Sequence, residues 1–342
     1  MQKRAYLNFK NSLLIVAVAV MAIVVGFESY FLLKNDKPQD PLRALWSGNF
    51  TKEREAWKKQ IDRVGTEKAY EEFRAETLAK PFGIGHTLAH IFGELIYDKE
   101  GVPGIAYCDS SFSYGCYHSF FGKAISEHGV GILPDLDKKC IGRWGEGGLG
   151  CQHGIGHGLM GYLGDDKINE ALELCGTLTW KGELGGCSSG VFMEYNFHTM
   201  QSLTGIENRP FDAKDPLYPC ESVPKKYTRS CYFELADWLG QVFAKDYTKV
   251  GDICRTVADK NSRDICFKGL GNSLAVAVSF DVAKGVNACS RLDGEQENLL
   301  CRIGVGWAFY SEPNLREKYR MLCGGLSTTD QATCLKEATL LK

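Results

Sequence analysis

Fourteen cysteines fall into seven pairs, and their spacing constrains the fold more than any other feature of this chain. The pairs are 108/116, 140/151, 175/187, 220/231, 254/266, 289/301 and 323/334, with separations of 8 to 12. The second members recur at steps of 35, 36, 44, 35, 35 and 33 residues. A period of that size is the mark of a repeat architecture, with room for two helices and two turns. The segments after the second cysteines resemble one another: Cys151-Gln-His-Gly-Ile-Gly, Cys187-Ser-Ser-Gly-Val-Phe, Cys266-Phe-Lys-Gly-Leu-Gly and Cys301-Arg-Ile-Gly-Val-Gly. The first cysteines follow apolar-periodic runs, as in Ala171-Leu-Glu-Leu-Cys175 and Val250-Gly-Asp-Ile-Cys254. The spacing therefore predicts a helix A ending at the first cysteine, a helix B opening at the second, and a disulfide stapling the turn. Closing a loop of about 11 residues contributes roughly 2–3 kcal/mol in the chain-entropy model. The glycine three residues into each of these four segments costs up to ~1 kcal/mol of helix propensity. It is expected to serve close approach of helix B to its neighbour. Zinc is the rival for the cysteines, but structural zinc takes pairs two to four apart, and no pair here is that close.

Over residues 84–342 this arrangement resembles the disulfide-stapled, tetratricopeptide-like (TPR-like) helical-hairpin repeats of secreted or membrane-anchored proteins. The resemblance rests on period and cysteine placement; the TPR consensus residues are absent. It implies an all-α fold, a right-handed α-solenoid of about seven to eight two-helix repeats with a groove, and no particular activity. The 44-residue step holds an insertion near 196–219 with Pro210, Pro216 and Pro219. Long loops of this kind often edge a binding face. The repeat from Cys323 to Cys334 ends in a short polar helix, as a capping repeat requires.

The N-terminus reads separately. Residues 1–11 carry Lys3, Arg4 and Lys10, and residues 12–33 are interrupted by one charge, Glu28. That length can span a hydrocarbon core of ~30 Å, with basic residues on the cytoplasmic side. The expectation is a cytoplasmic tail (1–11), a transmembrane signal-anchor (12–33), a linker (34–50) and an extracytoplasmic helical-repeat domain (51–342). A cleaved signal peptide ending near Val20-Met21-Ala22 is the alternative. In both cases the repeats face an oxidising compartment, where disulfides persist. Thr51–Val64 and Thr66–Leu78 suit surface helices, the second with Tyr70, Phe73 and Leu78 near helical spacing.

The histidines follow the same frame. Positions +2 and +6 from the second cysteine lie four apart, on one helix face. They are His118 and Gly122 after Cys116, and His153 and His157 after Cys151. A step of 32 back from Cys116 lands on Ile84, where an unstapled repeat would carry His86 and His90. Five of six stripe positions on three consecutive B helices are thus histidine. Packed helices lie ~8–10 Å apart, so these side chains can converge. Neutral imidazole is the commonest transition-metal ligand, and the five are candidate ligands for a divalent zinc, iron or copper ion. Hydrogen-bonded core histidines and a pH-sensing or acid–base cluster are the alternatives. Glu194 lies beside the next repeat's stripe positions, Ser189 and Met193, and is a candidate ligand, base or acceptor for a ligand N–H. Glu94 could orient His90, and Glu127, His128 and Glu146 are weaker candidates. Later stripe positions, Phe233/Asp237, Lys268/Asn272 and Ile303/Trp307, suit a protein or peptide ligand in the groove, or ordinary packing.

A net charge of −2 gives no footprint for nucleic acid. The glycine-rich run 145–164 lacks the Gly-Lys-Ser/Thr end of a Walker loop, and there is no Cys-x-x-Cys-His for attached haem. The reading is a membrane-anchored solenoid with a histidine-rich metal site; if the site is catalytic, its class is metal-dependent hydrolysis or oxidation, with Glu194 as candidate catalytic base. A non-enzymatic cell-surface interaction scaffold with structural histidines is the alternative.

Overall fold

The computed structural model describes residues 50–80, 82–145, 148–179, 184–200, 208–312 and 314–340. The anchor expected at 12–33 and the candidate Glu146 lie outside them. No strand occurs among the described residues, and no helix among them is long and apolar enough to cross a membrane. Two helices open the folded unit, α1 (Phe50–Val64) and α2 (Thr66–Thr77). The long helices that follow are α3 (Phe82–Glu100), α4 (Gly115–His128), α6 (Leu149–Leu163), α8 (Gly186–Phe197), α9 (Thr228–Val242), α11 (Lys260–Ala277) and α13 (Glu295–Ser311). Shorter helices alternate with them: α5 (Leu133–Trp144), α7 (Ile168–Cys175), α10 (Tyr247–Thr256), α12 (Val282–Cys289) and α14 (Tyr319–Leu322). The last is α15 (Thr328–Glu337).

Each long helix packs on the next in chain order, making one layer, and most of the shorter helices lie outside it. All seven cysteine pairs are joined as their spacing predicts, with Cα–Cα distances of 5.4–5.7 Å, inside the range a disulfide accepts. The helix boundaries differ from the expectation in two ways. Cys108 and Cys220 follow no A helix: a short 3-10 turn (Val102–Ala106) precedes the first, and irregular chain the second. Cys266 and Cys301 sit well inside α11 and α13, not at their starts. The Asp259 side chain accepts from the Ser262 N–H and starts α11 almost two turns before the cysteine, as an N-cap does.

The glycines of the B segments account for the layer. A Cβ built on Gly190 of α8 would stand 2.0 Å from the His153 carbonyl oxygen of α6, and one on Gly156 of α6 would stand 2.0 Å from the Cys187 oxygen of α8. The same reciprocal pair recurs three repeats on. Gly304 of α13 faces the Lys268 oxygen at 1.9 Å, and Gly271 of α11 faces the Cys301 oxygen at 2.0 Å. Only hydrogen fits there, so backbone meets backbone. The layer is curved: Phe233 of α9 reaches Trp307 of α13 past α11, with centroids 6.0 Å apart, and Ser113, before α4, donates to Glu312, after α13.

At the start, α1 and α2 are more than surface helices. Trp57, Tyr70, Phe73 and Phe92 are buried and their rings meet, which ties both helices to α3, while Leu78 is exposed. At the end, Trp307 Nε1 donates to the Glu337 carbonyl at 2.6 Å, and Lys268 pairs with the Glu337 carboxylate. This seats α15 on the last long helix.

Gly190→Ala is expected to lower unfolding stability by about 2–3 kcal/mol or more, since the extra methyl meets rigid backbone. Gly142→Ala, where nothing lies within 4 Å, should be neutral or stabilising by up to ~1 kcal/mol. Urea unfolding under oxidising conditions compares the two; equal effects would refute the close-approach account.

Candidate metal centre

The five stripe histidines converge. His86 and His90 come from one face of α3, His118 from α4, and His153 and His157 from one face of α6. Two groups of three, His86/His90/His118 and His118/His153/His157, each bring one possible ligand atom per residue within 4.8 Å of the others. The glycines beside the histidines permit this. A Cβ on Gly158 would lie 2.8 Å from the Gly122 nitrogen of α4, and one on Gly115 would lie 2.8 Å from the His86 carbonyl oxygen. The curvature then brings α3 and α6 near enough that their imidazoles interact past α4.

Within the first group, His90 Nε2 stands 3.1 Å from His86 Nε2 and 3.1 Å from His118 Nδ1. His86 Nδ1 is 2.7 Å from the Phe112 carbonyl. A carbonyl only accepts, so that nitrogen carries the hydrogen and a neutral His86 turns a lone pair toward His90. His118 Nε2 is buried with no hydrogen-bond partner among the described residues. No neutral tautomer set satisfies this group. If His90 Nε2 is bare, it faces the His86 lone pair. If it carries hydrogen, His118 either opposes it with a second N–H or keeps its own hydrogen on the orphaned Nε2.

In the second group, His153 and His157 approach through their Nε2 atoms at 3.1 Å. His157 stacks on His118 at 4.4 Å between centroids. His157 Nδ1 lies 3.0 Å from Glu194 Oε2, and His153 is bound to the Gly186 backbone. Burial holds all five imidazoles below the ordinary histidine range, His153 at about 4, and neighbouring imidazoles add to the effect for His90, His118, His153 and His157. Burial therefore opposes protonation as a way to satisfy the group. His118 and His157 are buried, whereas His86, His90 and His153 are partly exposed, so one edge of the cluster meets solvent.

Glu194 is wholly buried. It faces His157 and accepts from the Thr199 hydroxyl and, at 2.7 Å, from the Met200 N–H. Burial pushes it up to about 8 against these donors. Of the weaker candidates, Glu94 pairs with Arg54 instead of orienting His90, and Glu127 accepts from Tyr97. His128 lies in the last turn of α4, exposed.

Groups from three segments escaped sequence reasoning. Phe112 offers a backbone carbonyl, which no side-chain pattern announces. Thr199 and Met200 stand in the insertion after α8, outside the repeat frame. Glu234 of α9 is the third, buried, accepting from Ser189 and pushed up to about 8 by burial and then by Asp237. Its +3 position, off the stripe but facing α8, was the available signal. Asp237 is likewise raised by burial and accepts from Ser273. The inner face thus continues from imidazoles into buried acids.

Comparison with protein-family models, curated proteins and solved structures returns no match.

A carboxyl group whose pKa is raised on folding favours the native state while protonated, and that advantage is lost as pH climbs through the folded value. The chelated protein should therefore lose on the order of 2–4 kcal/mol of stability between about pH 5.5 and about pH 8.5 through groups such as Glu234. Glu234→Gln should show a smaller loss in urea unfolding. An identical loss in both proteins would place the titration elsewhere.

Proposed function

We propose that this chain is an extracytoplasmic right-handed α-solenoid that holds a divalent transition metal in a histidine-rich site on its inner face. The observation that carries the reading is the His86/His90/His118 group, in which three ring nitrogens at 3.1 Å steps leave no satisfied neutral arrangement. A cation between them replaces the opposed lone pairs and N–H groups with ligand bonds, leaving only the His118 Nε2 hydrogen without a partner among the described residues. Protonation of an imidazole would also relieve the conflict, but burial opposes it, whereas zinc, copper or iron binds neutral imidazole directly. The successive packing of the long helices and the seven regularly spaced disulfides support the solenoid. Those disulfides, together with the apolar run 12–33, support an anchored chain on the oxidising side of a membrane.

In this reading Glu194 positions His157, as carboxylates do behind metal-bound imidazoles; its burial and its three donors suit that role better than proton transfer to a substrate. The partly exposed edge at His86, His90 and His153 is where a small substrate would arrive, and metal-assisted hydrolysis or oxidation is the class of chemistry such a site supplies. One observation favours the alternative, a scaffold with structural histidines. A neutral Glu194, raised to about 8, can donate to His157 Nδ1 and leave the His153/His157 half satisfied without metal.

The purified chain, made in an oxidising compartment without a His-tag, should contain a transition metal by elemental mass spectrometry. Glu194→Gln should weaken that affinity about 10- to 100-fold in a chelator competition. A folded wild-type chain that takes up no zinc, iron or copper would leave the scaffold reading in place.

A further inference from the structure

We infer that His118 is a shared ligand, its Nδ1 serving one metal ion with His86 and His90 and its Nε2 serving a second with His153 and His157. The inference rests on the metal-site reading above and deepens it. Five imidazoles are an awkward number for one centre, because a catalytic zinc site takes three protein ligands and keeps a position open. Sharing one ring turns five into two sets of three. His118 stands at the middle of the five: it belongs to both groups that could hold a metal. Its ring lies 5.0 Å from that of His90, 5.1 Å from His86, 4.4 Å from His157 and 5.3 Å from His153.

The outer hydrogen bonds mark the same ring. His86 is tied to the Phe112 carbonyl, His157 to Glu194 and His153 to the Gly186 backbone, which leaves each of these three one inward nitrogen. His118 has no such tie. Its Nδ1 faces His90, and its Nε2 is buried without a partner among the described residues. A ring with both nitrogens uncommitted and ligand groups on both sides is the one that can bridge. Bridging consumes the ring's single N–H: as the second ion binds, His118 releases that proton to solvent and becomes an imidazolate with one lone pair for each ion. The ligands are all imidazole nitrogens, so the ions are transition metals such as zinc or copper and not magnesium or calcium, which take oxygen.

The test uses the full chain, with disulfides intact and no His-tag, dialysed against Zn(II) or Cu(II) and counted by elemental mass spectrometry. Wild type is expected to hold two ions. His86→Ala/His90→Ala and His153→Ala/His157→Ala should each retain one. A single ion in wild type, or loss of all metal in both variants, would mean one pooled site and overturn the inference. With two Cu(II) bound, electrons on the two ions pair through the shared ring, so the integrated paramagnetic-resonance signal should fall well below the copper content on cooling. Two full spins would show separate, unshared sites and also overturn it. No metal in any folded variant would overturn both this inference and the metal reading beneath it. The half-site variants keep the test usable if His118→Phe does not fold.

Discussion

The contact of backbone on backbone between successive long helices is the constraint from which the rest follows. Gly190 against His153, Gly156 against Cys187, and the matching pair Gly304 and Gly271 admit hydrogen and nothing larger. Glycine in a helix interior is costly by propensity alone, so its recurrence at fixed offsets from cysteine needs a compensating gain. The gain is proximity. The carbonyl that Gly190 approaches belongs to His153, so the spacing of α6 and α8 and the position of a candidate ligand are fixed by one contact. The disulfides act at a different place, holding each hairpin's turn. They tie segments 8 to 12 residues apart but do not set the distance between repeats.

Along the inner face the chemistry changes while the frame stays constant. The first three long helices present imidazoles. The next two present Ser189, Glu194, Glu234 and Asp237, hydroxyl and carboxyl groups with little or no access to water. The last present Ile303 and Trp307, which pack with Phe233 of α9, and Lys268 lies over the Trp307 ring. Burying neutral imidazoles and carboxylic acids costs less than burying their ions, and burial shifts both types toward the neutral form here. The acids beside the cluster therefore add little negative charge to it. Under the metal-site reading, what would attract a cation is the set of lone pairs on closely spaced nitrogens, which suits metals that bind nitrogen.

The sequence carried much of this, and the limits have physical causes. Cysteine pairing, the two-helix period, the glycine contacts and the five-histidine stripe are all local patterns repeated at one offset, so a frame read once applies throughout. Helix starts escaped because they obey caps rather than cysteines: Asp259 begins α11 well before Cys266. The absent A helices before Cys108 and Cys220 escaped because a disulfide requires only that two Cα atoms come within reach, whatever the chain does between them. The surroundings of Glu194 escaped because two of its partners, Thr199 and Met200, come from the insertion, where the repeat frame says nothing.

That insertion explains why the stripe has five histidines and not six. Gly122 occupies the sixth position, one turn above His118. A Cβ there would meet the Met200 side chain at 2.9 Å, and a Cβ on Gly161, one turn above His157, would meet Met200 at 2.9 Å as well. The thioether side chain fills the space that two larger residues would have taken. The Met200 N–H is also what Glu194 Oε1 accepts. One residue of the long step therefore packs on α4 and α6 one turn beyond His118 and His157 and donates to the acid behind His157. The irregular 44-residue spacing is in this sense part of the site: the repeats bring the imidazoles together, and the break in the repeat supplies donors to the acid behind His157.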